Sequence, residues 1–243
     1  MEDLFKQEKC IVAFVDILGV SAKINNSVED AIQDIWMFCH RVMKASYNTH
    51  VKVKIFSDNI FLCASLERGE RLQVLNEFFT IINEIESTMI NMNHSFVRGA
   101  IVVGEVHFEE NFVLGKALLK AYEIESKITL FPRILIDESV FEYIQKENPF
   151  FKKDMDGFYY YDFLRFAGHP LINPKTGKKD GKLLNLLQFK ANILLNYKNN
   201  KKNYAVVQKM NWLKKYFNDY CQEKKLDYLI TDEEIALVEE SVK

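Results

Sequence analysis

Apolar and polar positions along this chain fall into two rhythms, one of period two and one near 3.6. Ile11 to Leu18 is apolar at every position but Asp16 and stops at Gly19, the profile of a strand buried on both faces. Ser27-Val28-Glu29-Asp30 then has capping chemistry for a helix, and Ile32, Ile35, Trp36, Cys39 and Val42 predict its core-facing side. Val51 to Phe56 alternates, Ser57-Asp58-Asn59 supplies turn residues, and Ile60 to Cys63 leads away, which predicts a hairpin over 51–65 with Asp58 at its tip. From Glu70 to about Met92, Leu72, Leu75, Phe78, Phe79, Ile82 and Ile85 recur at helical spacing, and Ser95 to Phe108 reads as a long strand.

The order strand, helix, strand, strand, helix, strand is the split βαβ arrangement. The expected fold class is therefore α+β, with a ferredoxin-like, palm-like βαββαβ core. Further on, a helix is predicted over 115–127, a strand over 133–136, a helix over 138–146 and a strand over 158–163. Gly168, Pro170, Pro174, Gly177 and Gly181 mark an exposed loop, and from Lys182 the pattern is helical, interrupted at 196–203. This divides the chain into a core part, 1–165, and a loop and helical C-terminal extension, 166–243.

Asp16 stands out against this pattern, because an ionised carboxylate near the end of an apolar strand needs a neutralising partner. In the predicted topology the end of the first strand lies beside the hairpin tip, so Asp16 and Asp58 should meet. Two carboxylates about 4 Å apart at an effective dielectric near 20 repel by roughly 4 kcal/mol. A cation between them removes that cost, and oxygen ligands favour Mg²⁺ or Mn²⁺.

The remaining composition narrows the setting. The 243 residues carry a formal charge of -2, so nothing global attracts nucleic acid or an anionic membrane, and any phosphate binding must be local. No stretch reaches about 18 uninterrupted apolar residues, and the first residues show no targeting pattern, so a cytoplasmic protein is expected. Cys10, Cys39, Cys63 and Cys221 are widely spaced, without CxxC pairs, and read as small buried hydrophobes in a reducing compartment.

Four motifs in order resemble the catalytic domain of class III nucleotide cyclases over roughly residues 8–165. Phe14-Val15-Asp16-Ile17-Leu18-Gly19 resembles the first metal motif of that family and Lys54-Ile55-Phe56-Ser57-Asp58 the second. Arg98-Gly99-Ala100-Ile101-Val102-Val103-Gly104 is similar to a strand whose Arg contacts the triphosphate. Gly115 to Glu125 has the spacing of a glycine-led helix ending in Leu-Glu, here Ile124-Glu125. The resemblance implies two Mg²⁺ or Mn²⁺ ions on Asp16, Asp58 and the Ile17 carbonyl. It also implies a nucleoside triphosphate held by Arg98 and the backbone of Leu18 and Gly19, and a 3′,5′-cyclic nucleotide as product. Asp16, Asp58 and Arg98 would be the catalytic set. Family members are dimers with composite sites, so a head-to-tail homodimer is implied.

The chain departs from the family in its helix after Gly115. The transition-state Asn and Arg of the family fall here on Leu119 and Glu123, which cannot hydrogen-bond a ribose or stabilise phosphate charge. Lys116, Lys120 and Arg133 are candidate substitutes. Lys54 matches the base-reading position, whereas its usual partner falls on Phe112, so a purine-reading pair is incomplete. The compact form is similar to the stand-alone antiphage pyrimidine cyclases of Pycsar systems. That similarity implies UTP or CTP as substrate and a separate protein as receptor of the product, with no nucleic-acid or membrane partner.

Three other readings compete. A cyclase fold with silent chemistry accommodates Leu119 and Glu123. A different enzyme on a similar palm-like fold would be a diguanylate cyclase or a polymerase-type nucleotidyltransferase, of which the former would carry Gly-Gly-Asp/Glu-Glu-Phe at the hairpin, where this chain has Phe56-Ser57-Asp58-Asn59. An RNA-binding sheet would need Tyr159, Tyr160 and Tyr161 on one platform, yet consecutive strand residues alternate faces.

Overall fold

The computed structural model describes residues 6–109, 112–167, 170–172, 179–182 and 186–240. Its centre is strand β1, Glu8–Ile17, hydrogen-bonded on both sides. One neighbour is β3, Asn59–Ser65, the inner arm of a hairpin with β2, Val51–Phe56; the other is β4, Val97–Phe108. All these pairings are antiparallel, which gives the order β2-β3-β1-β4. The sheet continues through β6, Ile134–Ile136, then β8, Tyr159–Tyr161, and β7, Phe151–Lys153, while β5, Val113–Leu114, pairs with the end of β4. Among the described residues this is one eight-stranded sheet with helices on it, the expected α+β fold.

The two faces of β1 are packed unequally. Ile11, Ala13, Val15 and Ile17 face the main core, which α2, Val28–Ser46, and α3, Arg71–Thr88, fill with Phe38, Val42, Phe78, Ile82 and Ile85. Burying side chains of this size contributes about 1.5–3 kcal/mol each. The other face, Cys10 and Val12 with Cys63 and Val102, is covered by Ala117 and Ala121 of α4, Lys116–Glu123. Gly115 makes that cover possible, since a Cβ there would lie 2.4 Å from the Glu105 carbonyl oxygen.

Several element predictions are corrected. Ser27 caps α2 as expected, accepting from the Asp30 N–H, but Ile32 and Trp36 are each 63 % exposed; the inward stripe is the buried Ala31, Phe38 and Val42 with the partly buried Ile35. This helix has two apolar stripes, and periodicity alone does not say which one faces inward. The helix predicted to about Met92 ends at Thr88 and continues as a π turn, Met89–Asn93, and Leu72 on its outer side is exposed. The predicted 115–127 helix is α4 followed by a π turn, Ile124–Ile128, and the predicted 138–146 helix is a short 3-10 turn, Glu138–Glu142. Part of the predicted loop is a two-stranded ribbon of β9, Pro170–Ile172, and β10, Lys179–Lys182; Gly168, Pro174 and Gly177 lie outside the described residues.

Three further helices follow: α6, Leu186–Asn200, α7, Tyr204–Glu223, and α8, Asp232–Glu240; the interruption expected over 196–203 is confined to 201–203, residues 196–200 belonging to α6. Leu213, Phe217 and Phe189 join them to the main core, as does the short α5, Phe163–Ala167, through Phe163 and Leu164. Among the described residues no helix is long and apolar enough to cross a membrane.

Candidate active site

Antiparallel register determines what gathers at the end of β1. Asp16 is paired with Asn59 on β3 and with Arg98 on β4, so the hairpin tip and the first residues of β4 flank it. Gly99 lets β4 come close, because a Cβ there would meet the Phe14 carbonyl oxygen at 2.5 Å. The Ile17 N–H donates to the Asp58 carbonyl at 2.9 Å, which ties the tip to the strand and brings the two aspartates together. Asp58 Oδ1 accepts from the Asn59 side-chain amide at 3.1 Å.

A third carboxylate, not singled out for chemistry by the sequence, completes the group. The π turn after α4 places Glu125 beneath Arg98, with its side chain only 4 % exposed. Such turns recur at functional positions in helices. Arg98 Nε donates to Asp16 Oδ2 at 3.0 Å and lies 2.8 Å from Glu125 Oε1, while Nη1 reaches the Thr129 carbonyl at 3.4 Å. The Nε carries one hydrogen, so Glu125 Oε1 is left buried with an ion-pair partner but no hydrogen bond.

The electrostatics follow from that shortage. Burial pushes the Asp16 carboxyl above its usual range, the Arg98 guanidinium opposes this, and the Asp58 charge adds to it. Glu125 is also pushed up, first by burial and then by Asp16 and Asp58, with Arg98 and Lys209 acting against. Lys209 comes from α7, so the helical extension contributes charge to the group; its sequence signal was only a lysine flanking an apolar helix face.

Oxygen donors of this kind suit a hard divalent cation. Among the described residues no group of three or more His, Cys, Asp and Glu side chains is arranged to hold a metal ion. Mg²⁺ commonly takes one or two carboxylates and completes its shell with water and substrate phosphates. Asp16 and Asp58, beside the orphaned Glu125 oxygen, fit that mode of binding.

The other predicted site residues are spread more widely. Gly19, at φ 89, opens α1, Val20–Asn26, directly after Leu18, and no side chain caps this helix. Lys54 lies over the Phe108 ring at 5.5 Å, and Phe112 is half exposed, stacked on His107 at 5.4 Å, so its ring is not a core residue. Phe108 and His107 line a cavity of about 740 Å³ with Glu8, Cys10, Lys52 and Arg68. That cavity meets β1 at Cys10, six residues from Asp16, or about 20 Å along an extended strand.

Of the substitute cations, Lys116 is exposed at the start of α4 and Lys120 pairs with Asp137 at 2.8 Å. Arg133 requires a correction. Its side chain is 1 % exposed, bonded to Asp154 and Asp156 and lying over the Phe131 and Trp212 rings, so its charge is consumed within the fold. Leu119 is exposed on α4, and Glu123 pairs with Lys127 at 3.3 Å. Tyr160 and Tyr161 are buried, Tyr160 against Trp212 and Tyr161 bonded to Asn83, so they form no stacking platform for nucleic acid.

No family model matches the chain, and no curated protein sequence matches it either. Solved structures do match. A monomeric guanylyl cyclase domain of the RhoGC fusion protein from the aquatic fungus Blastocladiella emersonii aligns at 15% identity and a TM-score of 0.53, over 64% of this chain and 95% of that domain. A non-canonical dimeric form of the RhoGC domain aligns at 16% identity and 0.51, over 64% and 97%. The guanylate cyclase domain of RhGC from Catenaria anguillulae, in complex with GTP, aligns at 15% and 0.50, again over 64% and 97%. These likenesses establish a fold shared with nucleotide cyclase domains.

Proposed function

We propose that this chain is a nucleotide cyclase. In this reading residues 1–165 are the catalytic part and 166–243 a helical extension, and the reaction converts a nucleoside triphosphate to its 3′,5′-cyclic monophosphate and pyrophosphate. The observation that carries the reading is the meeting of Asp16 and Asp58 across from Arg98 on a cyclase-domain fold.

Asp16, Asp58 and the Ile17 carbonyl would hold two Mg²⁺ or Mn²⁺ ions. When bound, these ions lower the pKa of the ribose 3′-hydroxyl and neutralise charge on the departing pyrophosphate. The 3′-oxygen attacks the α-phosphorus as the bond to pyrophosphate breaks, and its proton passes to solvent. Arg98 presents a planar positive group to the phosphates, and the backbone N–H groups after Leu18 and Gly19 meet phosphate oxygens. Arg98 would have to exchange part of its contact with Asp16 and Glu125 for the substrate.

Of the base-pocket candidates, Lys54 lies over Phe108 and Phe112 is stacked on His107, at the opposite end of β4 from Arg98, which suits a head-to-tail homodimer where one subunit binds the base and the other the phosphates. Without the acidic partner of a purine-reading pair, UTP or CTP is the proposed substrate. The resulting cyclic nucleotide would be an antiphage second messenger read by a separate receptor protein. Incubating the protein with ATP, GTP, CTP and UTP in turn with Mn²⁺, followed by mass spectrometry, tests this. A cyclic pyrimidine nucleotide is expected, and no cyclic product from any of the four refutes the enzyme reading.

The exposed Leu119 and paired Glu123 favour one second reading, a nucleotide-binding module that has kept the fold without turnover. It would bind a nucleoside triphosphate in the same experiment and return it unchanged.

A further inference from the structure

Arg98 does not by itself answer the carboxylates at the end of β1. Its one Nε hydrogen is directed to Asp16, and Glu125 Oε1 stays buried without a donor, an arrangement that costs free energy unless another cation is near. Lys209 is that cation: Arg98, Asp16 and Glu125 are all within the reach of its charge. Among the described residues it forms no ion pair at contact distance, so its charge acts on the group without being tied to one carboxylate.

The helix that carries it is held firmly. Trp212, three residues on and on the same side of α7, stacks on Phe131 at 6.0 Å and donates its indole N–H to Asp154 at 2.7 Å. Phe131 follows closely on Thr129, whose carbonyl receives Arg98 Nη1. Met210 and Leu213 of the same helix are buried in the main core. Lys209 is half-buried, and that burial together with the Arg98 charge holds its pKa below the ordinary lysine range, with Asp16 and Glu125 pulling the other way.

We propose that Lys209 is a substrate-binding residue of this site, whose ammonium takes phosphate oxygens of the nucleoside triphosphate in place of the cation that α4 lacks at Glu123. The proposal rests on the cyclase reading and adds to it a residue from outside 8–165, where the motif resemblance runs. A lysine suits the task, being a compact charge on a flexible stem that can shift from the carboxylates to a phosphate as substrate enters. Lys120 and Arg133 are already paired, to Asp137 and to Asp154 with Asp156.

The test uses the full chain, with inorganic tripolyphosphate and Mn²⁺ as the calorimetric probe and the four nucleotides for turnover. Lys209→Ala should weaken tripolyphosphate binding by about tenfold or more and lower kcat/KM in parallel, and Lys209→Arg should restore most of both. Lys214→Ala, which removes an exposed pair with Asp232, should leave both at the wild-type level. Unchanged tripolyphosphate affinity in folded Lys209→Ala overturns the proposal, as does a change confined to melting temperature, while cyclic product from that variant leaves the cyclase reading standing. A wild-type chain that neither binds tripolyphosphate nor yields cyclic product overturns both. If Lys209→Ala does not fold, Lys209→Gln, which keeps most of the stem, decides the same question.

Discussion

Arg98 and Arg133 each lie between two carboxylates, but the surroundings give the two groups opposite character. Around Arg133 both carboxylates are supplied with donors: Nη1 serves Asp154 and Asp156, Nη2 serves Asp156, the Trp212 indole serves Asp154, and the Phe158 N–H adds a bond to Asp156 at 3.2 Å, so that only a donor, the Arg133 Nε, is left over. Despite burial, the Asp156 carboxyl is held below its usual range by this guanidinium. Around Arg98 one buried Glu125 oxygen has no donor, and Asp16 and Glu125 are both pushed up. Counting charges does not separate the two groups; what does is the atom left over, a carboxylate oxygen at Glu125 and a guanidinium nitrogen at Arg133. A cluster whose carboxylates are all supplied holds the fold together, whereas one with an unsupplied buried carboxylate oxygen is a place for a ligand.

The contrast can be broken most sharply at Asp58. Asp58→Asn should lower cyclic-nucleotide formation by about a thousandfold or more, the scale of losing a preorganised charge contact at a reacting centre, with little change in melting temperature. Turnover that persists would remove Asp58 from the catalytic set. Next comes Arg133→Met, expected to cost about 3 kcal/mol in urea unfolding because the partly exposed Asp154 and Asp156 lose the buried cation that bonds them both. If that variant unfolds like the wild type, the Arg133 cluster is not structural. Trp212→Phe keeps the ring stack and loses the bond to Asp154, for about 1.5–3 kcal/mol by the same measurement.

Acid and alkali should then pull the clusters apart. Glu125 has a raised folded-state pKa, so its contribution is complete below the unfolded value and is lost as pH rises through the folded one. Asp156 has a lowered one, so its contribution is present above the unfolded value and is lost as pH falls through the folded one. Urea midpoints from pH 3 to 8 should therefore show Glu125→Gln reducing the decline above about pH 4.3, and Asp156→Asn reducing the loss below about pH 3.9. The same slope in both variants would dissolve the distinction. Smallest of all is Lys127→Ala, which removes only an exposed i,i+4 pair with Glu123 and should change stability by about 0.5 kcal/mol or less, although Glu125 is two residues away.

How far the sequence carried this picture depended on what periodicity can express. Period two and period 3.6 placed the strands and helices of the core, and element order alone put Asp16 beside Asp58. Neither rhythm can report a π turn, so the helix predicted over 115–127 concealed the offset that sinks Glu125 under Arg98. The partners of Arg133 come from the turn at Asp154 to Asp156, which has no period. Ile32 and Trp36 were misplaced because α2 has an apolar stripe on each side. Lys209 was legible only as a flanking charge, since what it faces is decided by tertiary docking of α7.

Lys209 and Trp212 are fixed to one another by three residues of unbroken helix. Insertion or deletion of a single residue between them would turn one by about 100° relative to the other. Gains and losses of length at this locus should accordingly be absorbed in the break at 201–203, upstream of both, and be excluded from the interval between them. Angular phase, more than the identity of either side chain, is what a lineage carrying this helix would have to preserve.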